Sequence, residues 1–130
     1  MKKKKRQKSN RNTAKMSEMI IEMAADYIDL GKDLSDKQNY LNVACTAWNI
    51  AVLSEAERPR ALREFLDNYV AVNPGVDYVD GLRDDMEFLI QRKLELFPDV
   101  NRLVFSAAIQ ELDGNLRVTL LSTRPHVLKR

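Results

Sequence analysis

From Tyr40 to Leu53 the chain runs YLNVACTAWNIAVL without one charged residue, between flanks dense in Lys, Asp and Glu. Leu41, Ala44, Cys45, Trp48 and Val52 recur at helical spacing, and Tyr40, Val43, Ala47 and Ala51 form a second stripe. A helix apolar over most of its circumference must be surrounded by other elements, so this segment is expected to be a central core helix. Ser35 and Gln38, in the S-x-x-Q spacing of a capping box, mark its start. Trp48 is expected to anchor the core with its indole N–H bonded. Cys45, without a neighbouring base, reads as a small buried hydrophobe.

Three further helices follow from the same periodicity. Met16, Met19, Ile20, Met23, Ala24, Tyr27 and Ile28 make a stripe over residues 14–30, with Thr13 as N-cap and Gly31 as stop. The opposite face carries Glu18, Glu22, Asp26 and Asp29, a solvated acidic face or a contact for a cationic partner. Ser54 and Glu57 form a second capping box directly after Leu53, so the connection is tight and the next helix an antiparallel neighbour. That helix is expected to start near Pro59, to bury Ala61, Leu62, Phe65, Leu66, Tyr69 and Val70, and to end at Asn73-Pro74-Gly75. The fourth, capped by Asp77 or Asp80, runs to about Phe97 with Val79, Leu82, Met86, Leu89, Ile90 and Phe97 inward. Its acids lead and Arg92 and Lys93 trail, an order that suits the helix dipole.

After Asn101 the period changes from helix to strand. Leu103, Phe105, Ala107 and Ile109 alternate with smaller or polar residues, as do Leu116, Val118 and Leu120, around Asp113-Gly114. A two-residue turn there pairs Leu112 with Asn115, Ile109 with Val118 and Ala107 with Leu120 on an apolar face. The opposite face pairs Gln110 with Arg117 and Ala108 with Thr119. A two-stranded ribbon is marginal alone, so it must lie on the helices or pair edge to edge with a second copy. The expected fold is therefore α+β and mainly α: a four-helix domain with a C-terminal two-stranded antiparallel β-hairpin. The domain spans 13–123, with the hairpin at 102–123.

Charge divides the chain sharply. Lys2, Lys3, Lys4, Lys5, Arg6, Lys8 and Arg11 form a basic arm with no acid before residue 12, and Arg124, Lys129 and Arg130 close the other end. Between them eleven basic side chains face nineteen acidic ones, a net of −8. Residues 1–12 lack the apolar content to fold and are expected to be disordered, and 124–130 form a second basic tail. The arm is a solvated tail or a polyanion contact, and a translation start at Met16 would leave it out of the protein altogether. The first apolar segment is broken by Glu18, Glu22 and Asp26, so it is no signal peptide, and no stretch has the length of a membrane span. With one cysteine and no such segment, a cytoplasmic location is expected and no membrane partner.

Catalytic signatures are absent. The sole histidine, His126, lies in the basic tail, and no phosphate-binding glycine loop or nucleophile elbow occurs. No cofactor, metal or catalytic residue is expected. Asn42, Thr46 and Asn49 form a narrow polar row on the core helix that bonds to neighbours or opens onto a cleft. The reading is a non-catalytic protein-interaction or regulatory module with an unidentified protein partner, with homodimerisation through the hairpin one way of using it. The alternative is a nucleic-acid-associated accessory protein that binds through its basic tails without sequence specificity.

Overall fold

The computed structural model describes residues 15–123. In order these form α1 (Met16–Ile28), α2 (Leu34–Val52), α3 (Arg58–Val72), α4 (Val79–Leu96), β1 (Val104–Leu112) and β2 (Asn115–Ser122). The fold is α+β and mainly α, four helices followed by an antiparallel hairpin. Helix α2, which carries the uncharged stretch from Tyr40 on, is its centre, with α1, α3, α4 and β1 all packed against it. Leu41, Ala44, Cys45, Ala47, Trp48, Ile50 and Ala51 are buried along it. Trp48 is fully enclosed, tilts against Phe97 at 5.8 Å and donates its indole N–H to the Arg102 carbonyl at 2.7 Å.

The predicted stripe of α1 is buried residue for residue. Its ends differ. The helix begins at Met16, Lys15 occupies the N-cap without a side-chain bond, and Thr13 lies outside the described residues. Gly31 has no positive φ and is not a left-handed stop. A Cβ at Gly31 would stand 2.8 Å from the Lys37 nitrogen, so this glycine lets the connection press against the first turn of α2.

Asp33, not Ser35, caps α2, because its carboxylate accepts from the Asp36 N–H at 2.9 Å. Gln38 is thereby released for another task. In the second predicted capping box only the weaker half forms, the Ser54 N–H donating to the Glu57 carboxylate at 3.4 Å. Pro59 does sit in the first turn of α3. Of the six residues expected to bury α3, however, only Leu66 is inside. Ala61, Leu62, Phe65 and Tyr69 are half-buried and Val70 is exposed. Helix α3 meets α2 and α4 along a narrow seam, too narrow to cover a full stripe. On α4 the expected core residues Leu82, Met86, Leu89 and Ile90 are buried, but neither Asp77 nor Asp80 caps it. Tyr78 holds the N-cap position, and Asp80 pairs with Arg83 at 3.2 Å on the surface.

The hairpin register matches expectation pair by pair, from Leu112↔Asn115 to Ala107↔Leu120. Asp113 and Gly114 have φ of 51° and 80°, the two positive values that a type I′ turn requires. The alternation fails at one place. The pairing slips between Val104 and Ser106, a bulge that turns Val104 into the core and leaves Phe105 67% exposed.

Candidate functional site: a tyrosine-lined groove

The polar row of α2 divides between both of its expected uses. With Leu112 and Asn115 closing the turn, the outward backbone groups of β1 belong to Ile109 and Ala107. Gln38 meets them with its side-chain amide, accepting from the Ile109 N–H at 2.9 Å and donating to the Ala107 carbonyl at 3.0 Å. Past the bulge the outward residue is Val104, and Asn49 accepts from its N–H at 2.8 Å and donates to its carbonyl at 2.9 Å. Gln38 and Asn49 stand three helical turns apart, about 16 Å along α2, so the helix runs alongside β1 in the opposite sense. Two side-chain amides thus take the place of a neighbouring strand. Asn49 is bonded to the Val104 backbone and does not line the groove that Asn42 and Thr46 share.

Asn42 and Thr46 have the other fate. The Thr46 hydroxyl donates back to the Asn42 carbonyl at 3.0 Å, and Asn42 accepts from Gln38 at 2.9 Å. Both line a groove of about 760 Å³ walled by α2, α3 and the start of α4, with Tyr27 of α1 reaching in. The groove lies where α3 buries Leu66 fully and covers Phe65 and Tyr69 only in part, which leaves a wedge beside them.

All four tyrosines of the chain, Tyr27, Tyr40, Tyr69 and Tyr78, line this groove. Tyr27 and Tyr40 meet edge to face at 4.9 Å, and Tyr69 and Tyr78 do so at 6.2 Å with their hydroxyls hydrogen-bonded at 2.8 Å. That bond, with burial second, pushes the Tyr69 hydroxyl up to about 12. Tyr27 is held higher still, chiefly by burial and then by the Asp85 carboxylate beside it. Tyr27 and Tyr69 are therefore neutral near pH 7, and the carboxylates that line the groove are Asp36 and Asp85. Burial raises Asp85 above its ordinary value, while its hydrogen bond with Tyr27 acts the other way. No lysine, arginine or histidine lines the groove. Gly81 stands in its wall, and a Cβ there would meet nothing within 4 Å.

Sequence reasoning found Asn42 and Thr46 but not their setting. The signal it contained was the placing of tyrosines at stripe positions where leucine would pack as well, a choice that suits a seam with one wet side. A second group was missed outright. Lys93, read as a dipole partner at the end of α4, is only 2% exposed, lies 5.1 Å over the Trp48 ring and donates to the Val100 carbonyl at 2.6 Å. Cys45 is buried as expected, and burial pushes its thiol up to about 12.

The acidic face of α1 is exposed at Glu18, Glu22, Asp26 and Asp29. It is not without a cation, since Arg92 of α4 donates to the Glu22 and Met23 carbonyls at 2.9 and 2.8 Å. Among the described residues no cluster of His, Cys, Asp and Glu suits a metal ion, and no helix is long and apolar enough to cross a membrane. Lys2, Lys3, Lys4, Lys5, Arg6, Lys8, Arg11 and His126 lie outside the described residues. Comparison with protein-family models, with curated proteins and with solved structures finds no match to this chain.

Proposed function

We propose that this chain is a non-catalytic interaction module that seats an extended segment of a partner protein in the tyrosine-lined groove. One observation carries the reading: every tyrosine of the molecule gathers in one open groove, beside amide side chains of Asn39, Asn42 and Asn73. Tyrosine offers a broad ring at little entropic cost together with a polar tip, and it is enriched where proteins meet. The amides supply partners for the backbone of an extended chain. Gly81 allows a test, because a Cβ there meets nothing within 4 Å and a larger side chain can extend from the wall into the groove. A photo-crosslinking residue placed at the exposed lining position Asn39 in the full chain should give a protein adduct. Excess wild-type protein should compete that adduct away, and the Gly81→Leu variant should not. Absence of an adduct, or equal competition by both proteins, would count against the groove.

A second reading is favoured by the amide bonds along β1. They occupy that edge, so self-association through the hairpin has β2 as its only free side among the described residues, where β2 pairs with β1 alone. Two copies paired about Val118 would set Leu116 opposite Leu120 and Arg117 opposite Thr119, with no like charges facing. Light scattering should then give a two-chain mass that Val118→Pro reduces to one. A single-chain mass at high concentration would argue against this dimer.

A further inference from the structure

We propose that the groove selects a basic side chain: a lysine or arginine of the incoming segment, its cationic end held by Asp36, Asp85 and the tyrosine rings. This rests on the groove being the partner's seat, and it adds what the partner must carry there. Charge complementarity is the first argument. Two carboxylates line the groove with no cation among its lining residues. Of the cations elsewhere on these elements, Lys37 donates to the Gly31 carbonyl, Arg83 pairs with Asp80, Arg92 binds α1 and Lys93 donates to the Val100 carbonyl, while Arg58, Arg60 and Arg63 of α3 do not line the groove.

Shape and lining give the second. Lysine and arginine join an apolar stem to a charged head, and each part needs its own surface. Val43, Leu82 and Phe65 offer the stem an apolar wall, while the ring faces of Tyr40 and Tyr78 attract the head through their quadrupoles. Tyr78 is 55% exposed, so a ring face is open to an arriving cation. The third argument concerns the tyrosine hydroxyls. Those of Tyr27 and Tyr69 are held protonated by their raised pKa values, so their oxygens act as neutral acceptors for a cationic head and the negative charge of the groove stays on its carboxylates. Finally, the Asn42 side-chain nitrogen and the Asn73 side-chain oxygen take no hydrogen bond among the described residues, which leaves one donor and one acceptor for the peptide backbone.

The test uses the full chain and two blocked peptides that alternate glycine with arginine or with citrulline, which has arginine's shape without its charge. Amide NMR titration should shift Asn39, Asn73 and Gly81 with the arginine peptide, and citrulline should bind at least about tenfold more weakly. Asp85→Asn should weaken the arginine peptide by about tenfold and leave the citrulline peptide unchanged. Gly81→Leu should abolish both, with Gly81→Ala as the folded control. Equal binding of the two peptides in the groove would overturn the charge selection while leaving the groove as a docking site. Arginine-peptide shifts confined to Glu18, Glu22 and Asp26, binding that survives Gly81→Leu, or no binding at all would overturn the proposal. Failure of the crosslinking competition is a separate result and would remove the premise beneath it.

Discussion

Lys93 gives the fold a dependence on alkaline pH. Burial, reinforced by Arg58 and opposed by Asp99, brings its ammonium from an ordinary 10.5 down to about 8. Between those values the unfolded chain carries a proton that the folded chain has shed, so stability rises with pH across that window. Below about 8 both states are charged and the penalty stays constant; above 10.5 it vanishes. The Lys93→Met variant should therefore gain on wild type as pH falls from 10.5 to 8, and the difference should level off below. Urea midpoints at several pH values measure it, and a pH-independent offset from the lost Val100 bond does not affect the slope. Asn49 is the second residue whose effect is calculable. It satisfies both backbone groups of Val104, so Asn49→Ala leaves a donor and an acceptor unpaired and should cost about 2 kcal/mol. Asn49→Asp keeps an acceptor for the N–H but sets a second oxygen against the carbonyl, and should cost more. Equal urea midpoints for wild type and Asn49→Ala would show that water replaces the amide without loss.

At the scale of the element, α3 is the weakly held part. Its one buried residue is Leu66, 3% exposed, against seven buried on α2. Leu66→Ala should cost about 3 kcal/mol, and most of that should appear as local opening. Hydrogen exchange should speed up along α3 while α2 keeps its protection, and uniform acceleration would refute the picture of a separately hinged helix. The same contrast explains what the sequence could disclose. Elements with a complete set of neighbours were legible: the α1 stripe, the enclosed α2 and the hairpin register each follow from a local period. Helix α3 has the same period as α1, and its stripe residues Leu62, Phe65, Leu66 and Val70 are no less apolar than those of α1. How far a stripe is covered depends on the space its neighbours leave, which periodicity does not encode. Phe105 escaped for a related reason, because the bulge beside it answers to the position of Asn49, far away in sequence. Gln38 was legible as polar and misassigned to a cap, since a helix start and a strand edge ask for the same amide. The groove itself arises from elements that fail to meet, and no stretch of sequence spells it.

At the scale of the whole molecule, charge separates two modes of binding. The region between the basic ends carries a net of −8, which disfavours a broad face for duplex DNA, and in the nucleic-acid reading contact is expected through the tails. Deletion of residues 1–12 should then remove retention on DNA or RNA, and retention by the intact chain should fall steeply with salt. Undiminished retention after the deletion would place the contact on the folded body. The side-chain amides on β1 have a consequence for assembly. A ribbon with two open flanks recruits strand after strand, whereas a ribbon with one flank plugged recruits a single mate. When two such ribbons join along β2, the four-strand product presents only plugged flanks on either side. In that assembly growth would end at the pair, because Gln38 and Asn49 already hold the outer backbone groups of β1.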